Sequence, residues 1–311
     1  MLRTPTTWAA PLALLAGFAC ANVQADEIDI DTFNAQNIAG WDLSVRENNT
    51  GAGVDRTRFP LHRPAVVGDW LRLNTSQARG QHAYATATTT LDPNLPISIR
   101  YEFVSWTDAA AAPRMLGFQL FDANMANSLD HFDYCGSKFA LVRVMHGDHD
   151  GWASNCLNDA QLATEERFHV WGPGKSLLSN RPSPVKLACR DTQFVAIDKS
   201  WHCSSREEAI AKGFAHTVDA WLTPLPDGTQ HMNVFIDGDP VDAVVLPATT
   251  AERLRFGFLS KAEGSAGSYA EIGNVLVSQS ALFMAPQELA PDGSAQCMRV
   301  MGEGSHRPIA L

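Results

Sequence analysis

The densest group of possible metal ligands lies in the middle of the chain, directly after a predicted strand. It comprises His146, Asp148, His149, Asp150 and Asn155. Carboxylate and amide oxygens would suit calcium, whereas imidazole nitrogens would suit zinc or copper. Because the spacing follows no recognised metal-binding motif, a solvated turn at the edge of a sheet is the competing interpretation.

A second group of residues could bind a sugar. A Trp or Tyr ring can stack on the apolar face of a sugar, so we consider aromatic residues and one acid beside an aromatic residue. The candidate ligand-binding residues are Asp133, Tyr134, Trp152, Trp171 and Trp221. Trp152 and Trp171 lie in loop-like sequence, while Trp221 points away from the apolar face of its predicted strand. Burial in the core is the alternative for each tryptophan.

Common catalytic motifs are not found in the sequence. No E-x-D-x-x-E run pairs carboxylates for glycoside hydrolysis, and no G-x-S-x-G elbow presents a serine nucleophile. His216, His231 and the serines are too scattered to define a triad. The Gly-rich loop at residues 263–268 lacks the lysine of a phosphate-binding loop. These observations favour a binding protein over an enzyme.

Five cysteines follow residue 25, and no C-x-x-C pair occurs among them. In an exported chain, the disulfide is the usual state of cysteine. The local pairings that we favour are Cys135 with Cys156 and Cys189 with Cys203, which leaves Cys297 as the odd residue. Spacing alone does not fix this connectivity.

The N-terminus predicts export from a bacterial-type cell. Arg3 precedes an apolar stretch, and Val23-Gln24-Ala25 offers the small residues that a leader peptidase reads. We therefore expect residues 1–25 to be removed and the mature protein to be secreted or periplasmic. No later stretch is long and apolar enough to span a bilayer core of roughly 30 Å.

The charge of the mature chain argues against nucleic acid as a partner. Removing residues 1–25 removes one of the 24 basic residues and none of the 34 acidic ones, which leaves a net charge near −11. An acidic surface repels phosphate backbones, and no cluster of Lys and Arg offsets it.

The remainder of the chain predicts strand after strand. Between residues 217 and 246, apolar and polar residues alternate, and turns at Pro226-Asp227-Gly228 and Asp237-Gly238 reverse the chain. Ser205 begins a short predicted helix that ends near Phe214. We predict an all-β, two-sheet antiparallel β-sandwich with short helical insertions over residues 26–284, followed by a C-terminal tail at residues 285–311. Residues 192–197 are one further strand candidate.

Several segments resemble concanavalin A-like sandwiches. Residues 254–260 and 268–275 are similar to the C-terminal strands of bacterial legume-type lectin domains, where L-R-F-G-F is followed by a Gly/Ser loop and E-I-x-N. Residues 115–122 and 233–238 agree with two further strands of this family, in the same order. The resemblance spans roughly residues 30–280. It implies a two-sheet jelly roll that binds carbohydrate, with calcium as the candidate cofactor.

Two positions differ from the family pattern. Family lectins hold sugar through an Asp at the start of a strand where this chain has Arg114-Met115-Leu116. They coordinate metal ions through acids on the next strand, where this chain has Arg143. Glu271 corresponds to an acid with a structural role in the family. The resemblance thus implies the fold more directly than it implies the site.

We therefore expect an exported, lectin-like protein that recognises glycan on a cell surface or an extracellular polysaccharide. A secreted polysaccharide hydrolase or lyase on the same sandwich is the alternative, since one fold supports many chemistries. A structural component of a surface assembly is the third interpretation.

Overall fold

The computed structural model describes residues 40–47, 64–75, 81–107, 112–124, 139–146, 166–173, 176–186, 203, 205–263 and 268–279. These residues form fourteen strands and one short helix, α1 (Arg206–Ala211). The strands are β1 (Trp41–Glu47), β2 (Ala65–Val67), β3 (Trp70–Thr75), β4 (Gln81–Leu91), β5 (Ile97–Thr107), β6 (Ala112–Asp122), β7 (Ala140–His146), β8 (Glu166–Gly172), β9 (Ser176–Pro182), β10 (Ala215–Pro224), β11 (Gln230–Ile236), β12 (Asp239–Leu246), β13 (Leu254–Glu263) and β14 (Ser268–Gln279).

The strands pair antiparallel and form two sheets of seven. Sheet I has the order β1-β4-β13-β6-β7-β8-β9, and sheet II has the order β12-β11-β10-β5-β14-β3-β2. Strands that are distant in the sequence are neighbours in both sheets. β13 lies between β4 and β6, and β14 lies between β5 and β3. The prediction of an all-β, two-sheet antiparallel sandwich is therefore confirmed.

Side chains of sheet II alternate between the core and the outside. Along β11 (Gln230–Ile236), every second residue is buried and the residues between are half-buried. β10 repeats this alternation over residues 218–222. Asp237 and Gly238 join β11 to β12 with positive φ angles of 55° and 83°, which suits a tight hairpin turn. The meander predicted for residues 217–246 is confirmed.

Aromatic rings join the two sheets across the core. Tyr101 of sheet II contacts Phe258 and Phe118 of sheet I, with ring centroids 4.9 and 6.0 Å apart in edge-to-face geometry. Phe258 also stacks on Trp41, with ring centroids 5.8 Å apart. Burial raises the pKa of the Tyr101 phenol, so its hydroxyl stays protonated and brings no charge into the core.

Helix α1 covers the outer face of sheet II near the end of β5. Ser205 caps the helix, because its hydroxyl accepts a hydrogen bond of 3.2 Å from the backbone N–H of Glu208. Ala209 packs in a small apolar cluster with Val104 and Trp106, separate from the main core. The predicted helix is thus confirmed, although it ends at Ala211.

A buried carboxylate ties this helix to the sheet. Glu271 is fully buried on β14; its Oε1 accepts a hydrogen bond of 2.7 Å from Arg72 Nε, and its Oε2 accepts one of 3.1 Å from Arg206 Nη1. The same Arg206 nitrogen donates to the Val67 carbonyl at 3.1 Å. Because both carboxylate oxygens are engaged, Glu271 acts as a structural acid, as the resemblance implied.

The sequence pattern did not predict every strand. It left out β2, β8 and β9. The strand candidate at residues 192–197 and the predicted domain boundaries, after residues 25 and 284, lie outside the described residues. Within the ranges given above, no helix is long and apolar enough to cross a membrane.

Replacing the buried carboxylate tests whether this ion-pair network holds the helix in place. We expect Glu271→Gln to lower the free energy of unfolding by about 3 kcal/mol, because two guanidinium groups lose their shared anion in a mostly buried setting. Glu207→Gln is the matched control: that side chain is 70% exposed and also contacts Arg206, so its loss should cost far less than the loss of Glu271. Urea unfolding measures both, and equal effects would contradict the assignment.

Candidate functional site

The predicted metal-binding residues lie almost wholly beyond the described part of the chain. His146 is the last residue of β7. The other four candidates are outside the described ranges: Asp148, His149, Asp150 and Asn155. Among the residues that the structure describes, no three His, Cys, Asp or Glu side chains group together as a metal site. The metal site therefore stays a prediction.

Of the ligand-binding candidates, Asp133, Tyr134 and Trp152 also lie outside the described ranges. Trp171 is described, and its predicted place in a loop is wrong. It lies in β8, is 1% exposed and contacts the His169 ring edge-to-face, with centroids 6.2 Å apart. Because its ring is enclosed by protein, Trp171 has no open face on which a sugar ring could stack.

Of the four cysteines in the predicted disulfides, the structure describes one. Cys203 is fully buried in the cluster beneath α1 and is disulfide-bonded. Cys135, Cys156 and Cys189 lie outside the described ranges. The pairing of Cys189 with Cys203 therefore stays a prediction, as does that of Cys135 with Cys156.

Trp221 faces away from the core, as predicted. Its neighbours on β10, Ala220 and Leu222, are buried between the sheets, whereas Trp221 is half-buried on the outer face of sheet II. In the register of the sheet, it stands between Ser98 of β5 and Asn233 of β11. The ring thus lies on a sheet face with polar side chains on both flanking strands.

A second aromatic side chain lies on the same face. Phe235 is half-buried on β11, opposite Asp219 of β10, which makes it a diagonal neighbour of Trp221. Diagonal pairs in antiparallel sheets are about 7–8 Å apart, within reach of aromatic side chains. We call the outer-face patch made by Trp221, Phe235, Asp219, Asn233 and His231 the Trp221 surface.

Asp219 is the carboxylate of this patch and lies beside Phe235 at one end of it. Its Oδ1 lies 3.6 Å from Arg100 Nε, and the two side chains are 22% and 53% exposed. Burial raises the pKa of the Asp219 carboxyl, and the positive charge of Arg100 only partly offsets this rise. A carboxylate held where burial disfavours its charge is a candidate functional group.

The remaining polar groups of the Trp221 surface come from β11. Asn233 and His231 lie two positions apart on one face of the strand, and the Asn233 side-chain nitrogen is 3.5 Å from His231 Nδ1. Sequence reasoning missed Asp219, Phe235 and Asn233 as site residues, since cross-strand register brings them beside Trp221. The alternation along β10 and β11 was the signal that assigns them to this face.

Comparisons with known proteins find only solved structures of low sequence identity. No protein-family model matches the sequence, and no match is found among curated proteins. The chain is similar to the solved carbohydrate recognition domain of Emp47p, with 10% identity, a TM-score of 0.47, and coverage of 81% of this chain and 94% of that one.

Two other solved structures are similar to a comparable degree. For a Bauhinia forficata lectin in complex with GalNAc, the identity is 9%, the TM-score 0.47, and the coverage 82% of this chain and 98% of that one. For the exoplasmic/lumenal domain of VIP36, the identity is 9% and the TM-score is 0.46, and the match covers 83% of this chain and 90% of that one. Legume-type lectin folds are thus among the structures to which the chain is similar.

The raised pKa of Asp219 predicts how stability depends on pH. Because the folded-state pKa lies above the unfolded one, protonated Asp219 contributes stability at low pH, and that contribution is lost as the pH rises through the folded-state pKa. The free energy of unfolding of Asp219→Asn, minus that of the wild type, should therefore be more positive at pH 7 than at pH 3. Urea unfolding at both pH values measures this difference.

Asp227→Asn is the control for that measurement. The Asp227 carboxylate accepts hydrogen bonds from Thr229, which lower its pKa, so the sign of the pH effect should reverse. If the two variants showed the same pH trend, burial would not be what governs Asp219.

Proposed function

We propose that the protein is a lectin-like carbohydrate-binding protein and that the Trp221 surface holds the glycan. The observation that carries the proposal is the outward-facing, half-buried indole of Trp221 on a sheet face whose core-facing neighbours are fully buried. A planar aromatic side chain offers an apolar platform that suits the C–H face of a pyranose ring.

The composition of the patch supports this ligand class. Phe235 provides a second aromatic side chain diagonal to Trp221, so the platform extends over two strands. Val245 of β12, opposite His231 and 54% exposed, continues the apolar surface toward the sheet edge. An apolar floor of this kind, together with a few placed polar groups, is the usual composition of a small-molecule site.

Polar groups around the platform would orient the sugar. Asp219 and Asn233 supply hydrogen-bond acceptors for hydroxyl groups, and Arg100 and Asn233 supply donors. Burial raises the pKa of the Asp219 carboxyl, so its charged form is unfavourable for folding at neutral pH. A bound sugar would offset this unfavourable free energy, because one of its hydroxyl groups can donate a hydrogen bond to the partly desolvated carboxylate.

Localisation and metal dependence belong to the same proposal. The N-terminal pattern supports export, so we propose that the glycan lies on a cell surface or in an extracellular polysaccharide. Calcium is the cation we propose to test, because Asp148, Asp150 and Asn155 would offer oxygen ligands. The contacts that we propose between the Trp221 surface and the sugar do not involve that metal.

Glycan-array binding by residues 26–311 tests the proposal. We expect Trp221→Ala to weaken binding to the best glycan at least tenfold, a loss of about 1.4 kcal/mol, with Trp221→Phe retaining part of the affinity. Ile210→Ala removes an exposed apolar side chain from α1 and should leave binding unchanged. Each variant is measured with calcium and with EDTA.

Three results would contradict parts of this account. If wild-type protein bound no glycan, the lectin proposal would fail, and the hydrolase and assembly alternatives would take precedence. If binding were selective but indifferent to Trp221→Ala, the ligand would lie elsewhere on the molecule. If binding ignored EDTA, calcium would be excluded as a requirement while the Trp221 surface would stand.

A further inference from the structure

The row of outward side chains that contains Asp219 continues beyond the Trp221 surface. In the register of sheet II, Asp219 stands opposite Phe235 of β11 on one side and Arg100 of β5 on the other. Arg100 in turn stands opposite Leu276 of β14. Because residues paired across strands share one face of the sheet, these four side chains form a row across β11, β10, β5 and β14.

A second row runs beside the first on the same face. Trp221 stands between Asn233 of β11 and Ser98 of β5, and Ser98 stands opposite Ser278 of β14. On every strand the two rows are two residues apart, which is the repeat of side chains on one face. We call the two rows together the outer strip.

An irregularity in β14 directs Leu276 to the outer strip. The register of β14 against β5 shifts before Leu276, and Asn274 in this segment has a φ angle of 49°. An extra residue at such a bulge reverses the alternation that precedes it. Val275 and Val277 are accordingly buried in the core, while Leu276 between them is half-buried on the outer face.

The outer strip is apolar at both ends and polar in the middle. Trp221 and Phe235 form one end, and Leu276 forms the other. Between them, Arg100 Nε lies 3.6 Å from Asp219 Oδ1, and these side chains are 53% and 22% exposed. Because the two charges offset each other, the middle offers hydrogen-bond donors and acceptors without a net charge. This composition suits an uncharged chain of sugar rings, whose C–H faces alternate with hydroxyl groups.

The outer strip is longer than one sugar ring. Neighbouring strands lie about 4.8 Å apart, so four strands span about 14 Å. A pyranose unit lengthens a linear chain by roughly one strand spacing, so about three units would cover the strip. In the part of the chain that the structure describes, β3 pairs with β14 only over residues 268–272, so no paired strand continues the sheet beside Leu276.

We propose that the outer strip binds an internal stretch of a linear, uncharged polysaccharide, which lies across the strands with one unit on Trp221 and Phe235 and another on Leu276. This inference rests on the proposed function, because the Trp221 surface forms one end of the strip. It adds that the ligand is a chain rather than a single terminal sugar, and that affinity rises with the number of units until the strip is covered.

The dependence of affinity on chain length tests this proposal. The probes are cello-, malto-, laminari-, manno- and N-acetylchito-oligosaccharides of one to six units, titrated into the mature protein by calorimetry. In at least one series, the affinity should rise at least tenfold between the disaccharide and the tetrasaccharide. It should then level off, because further units extend beyond Leu276.

Variants at the far end of the strip locate that gain. Leu276→Ala removes the apolar contact on β14 and should weaken tetrasaccharide binding at least fivefold. Disaccharide binding, which needs only the Trp221 end, should change less than twofold and also reports that the variant is folded. Leu276→Phe keeps an apolar side chain there and should retain the tetrasaccharide affinity. Leu225→Ala is the matched control, because this leucine is exposed in the β10–β11 turn outside the strip.

The outcomes separate this inference from the proposed function. An affinity that rises with length and loses the rise in Leu276→Ala would support the chain-binding strip. An affinity independent of length, still weakened by Trp221→Ala, would overturn the inference and leave the proposed function intact. Equal effects of Leu276→Ala and Leu225→Ala on the tetrasaccharide, or absence of binding in every series, would also overturn it, while the glycan array decides the proposed function separately.

Discussion

The packing of two seven-stranded sheets face to face decides where every other side chain can lie. Tyr101, Phe118 and Phe258 meet between the sheets, and such contacts require each strand to present apolar residues on the face that meets the other sheet. At the edges, Arg181 of β9 reaches Asp242 of β12 at 3.1 Å and connects the two sheets. Because the inner faces of the two sheets are buried against each other, the outer faces are the sheet surfaces available for binding.

The two outer faces are used differently. On sheet I, outward side chains such as Gln119, His169 and Trp171 are buried as fully as the core. On sheet II, α1 and its cluster cover the region near the end of β5, while the β10–β12 half carries half-buried aromatic and polar side chains. The second pattern leaves side chains accessible, which is why we assign the glycan to that half.

Two carboxylates on sheet II show how a structural acid differs from a candidate functional one. Both oxygens of Glu271 accept short hydrogen bonds from arginines, so its charge is matched within the fold. Among the described residues, Asp219 faces one cation, Arg100 at 3.6 Å, and burial still raises the pKa of its carboxyl. A group whose charge the fold does not fully stabilise is a candidate functional group.

The elements that the sequence predicted are those whose local pattern is unambiguous. β10 and β11 alternate cleanly because one face meets the core and the other meets solvent, and Ser205 carries its own capping signal. β8 escaped prediction because its alternation of polar and apolar residues is short: it covers residues 167–170 and ends at Trp171, an apolar residue that is buried on the outer face.

The site was less predictable than the fold for a physical reason. Trp221 was predicted as a site residue because the alternation of apolar and polar residues along its own strand places it on the outer face. Its companions Phe235 and Asn233 come from another strand, and only the register between β10 and β11 brings them together. The partnership of Asp219 with Arg100 likewise depends on register, across 119 positions of sequence.

A crystal structure of the mature protein with the best-binding oligosaccharide tests the central claim most directly. The account predicts a sugar ring lying against the Trp221 indole, with a hydroxyl group within hydrogen-bond distance of Asp219 or Asn233. A sugar bound instead where β6 begins and β7 ends, with the Trp221 surface empty, would contradict it.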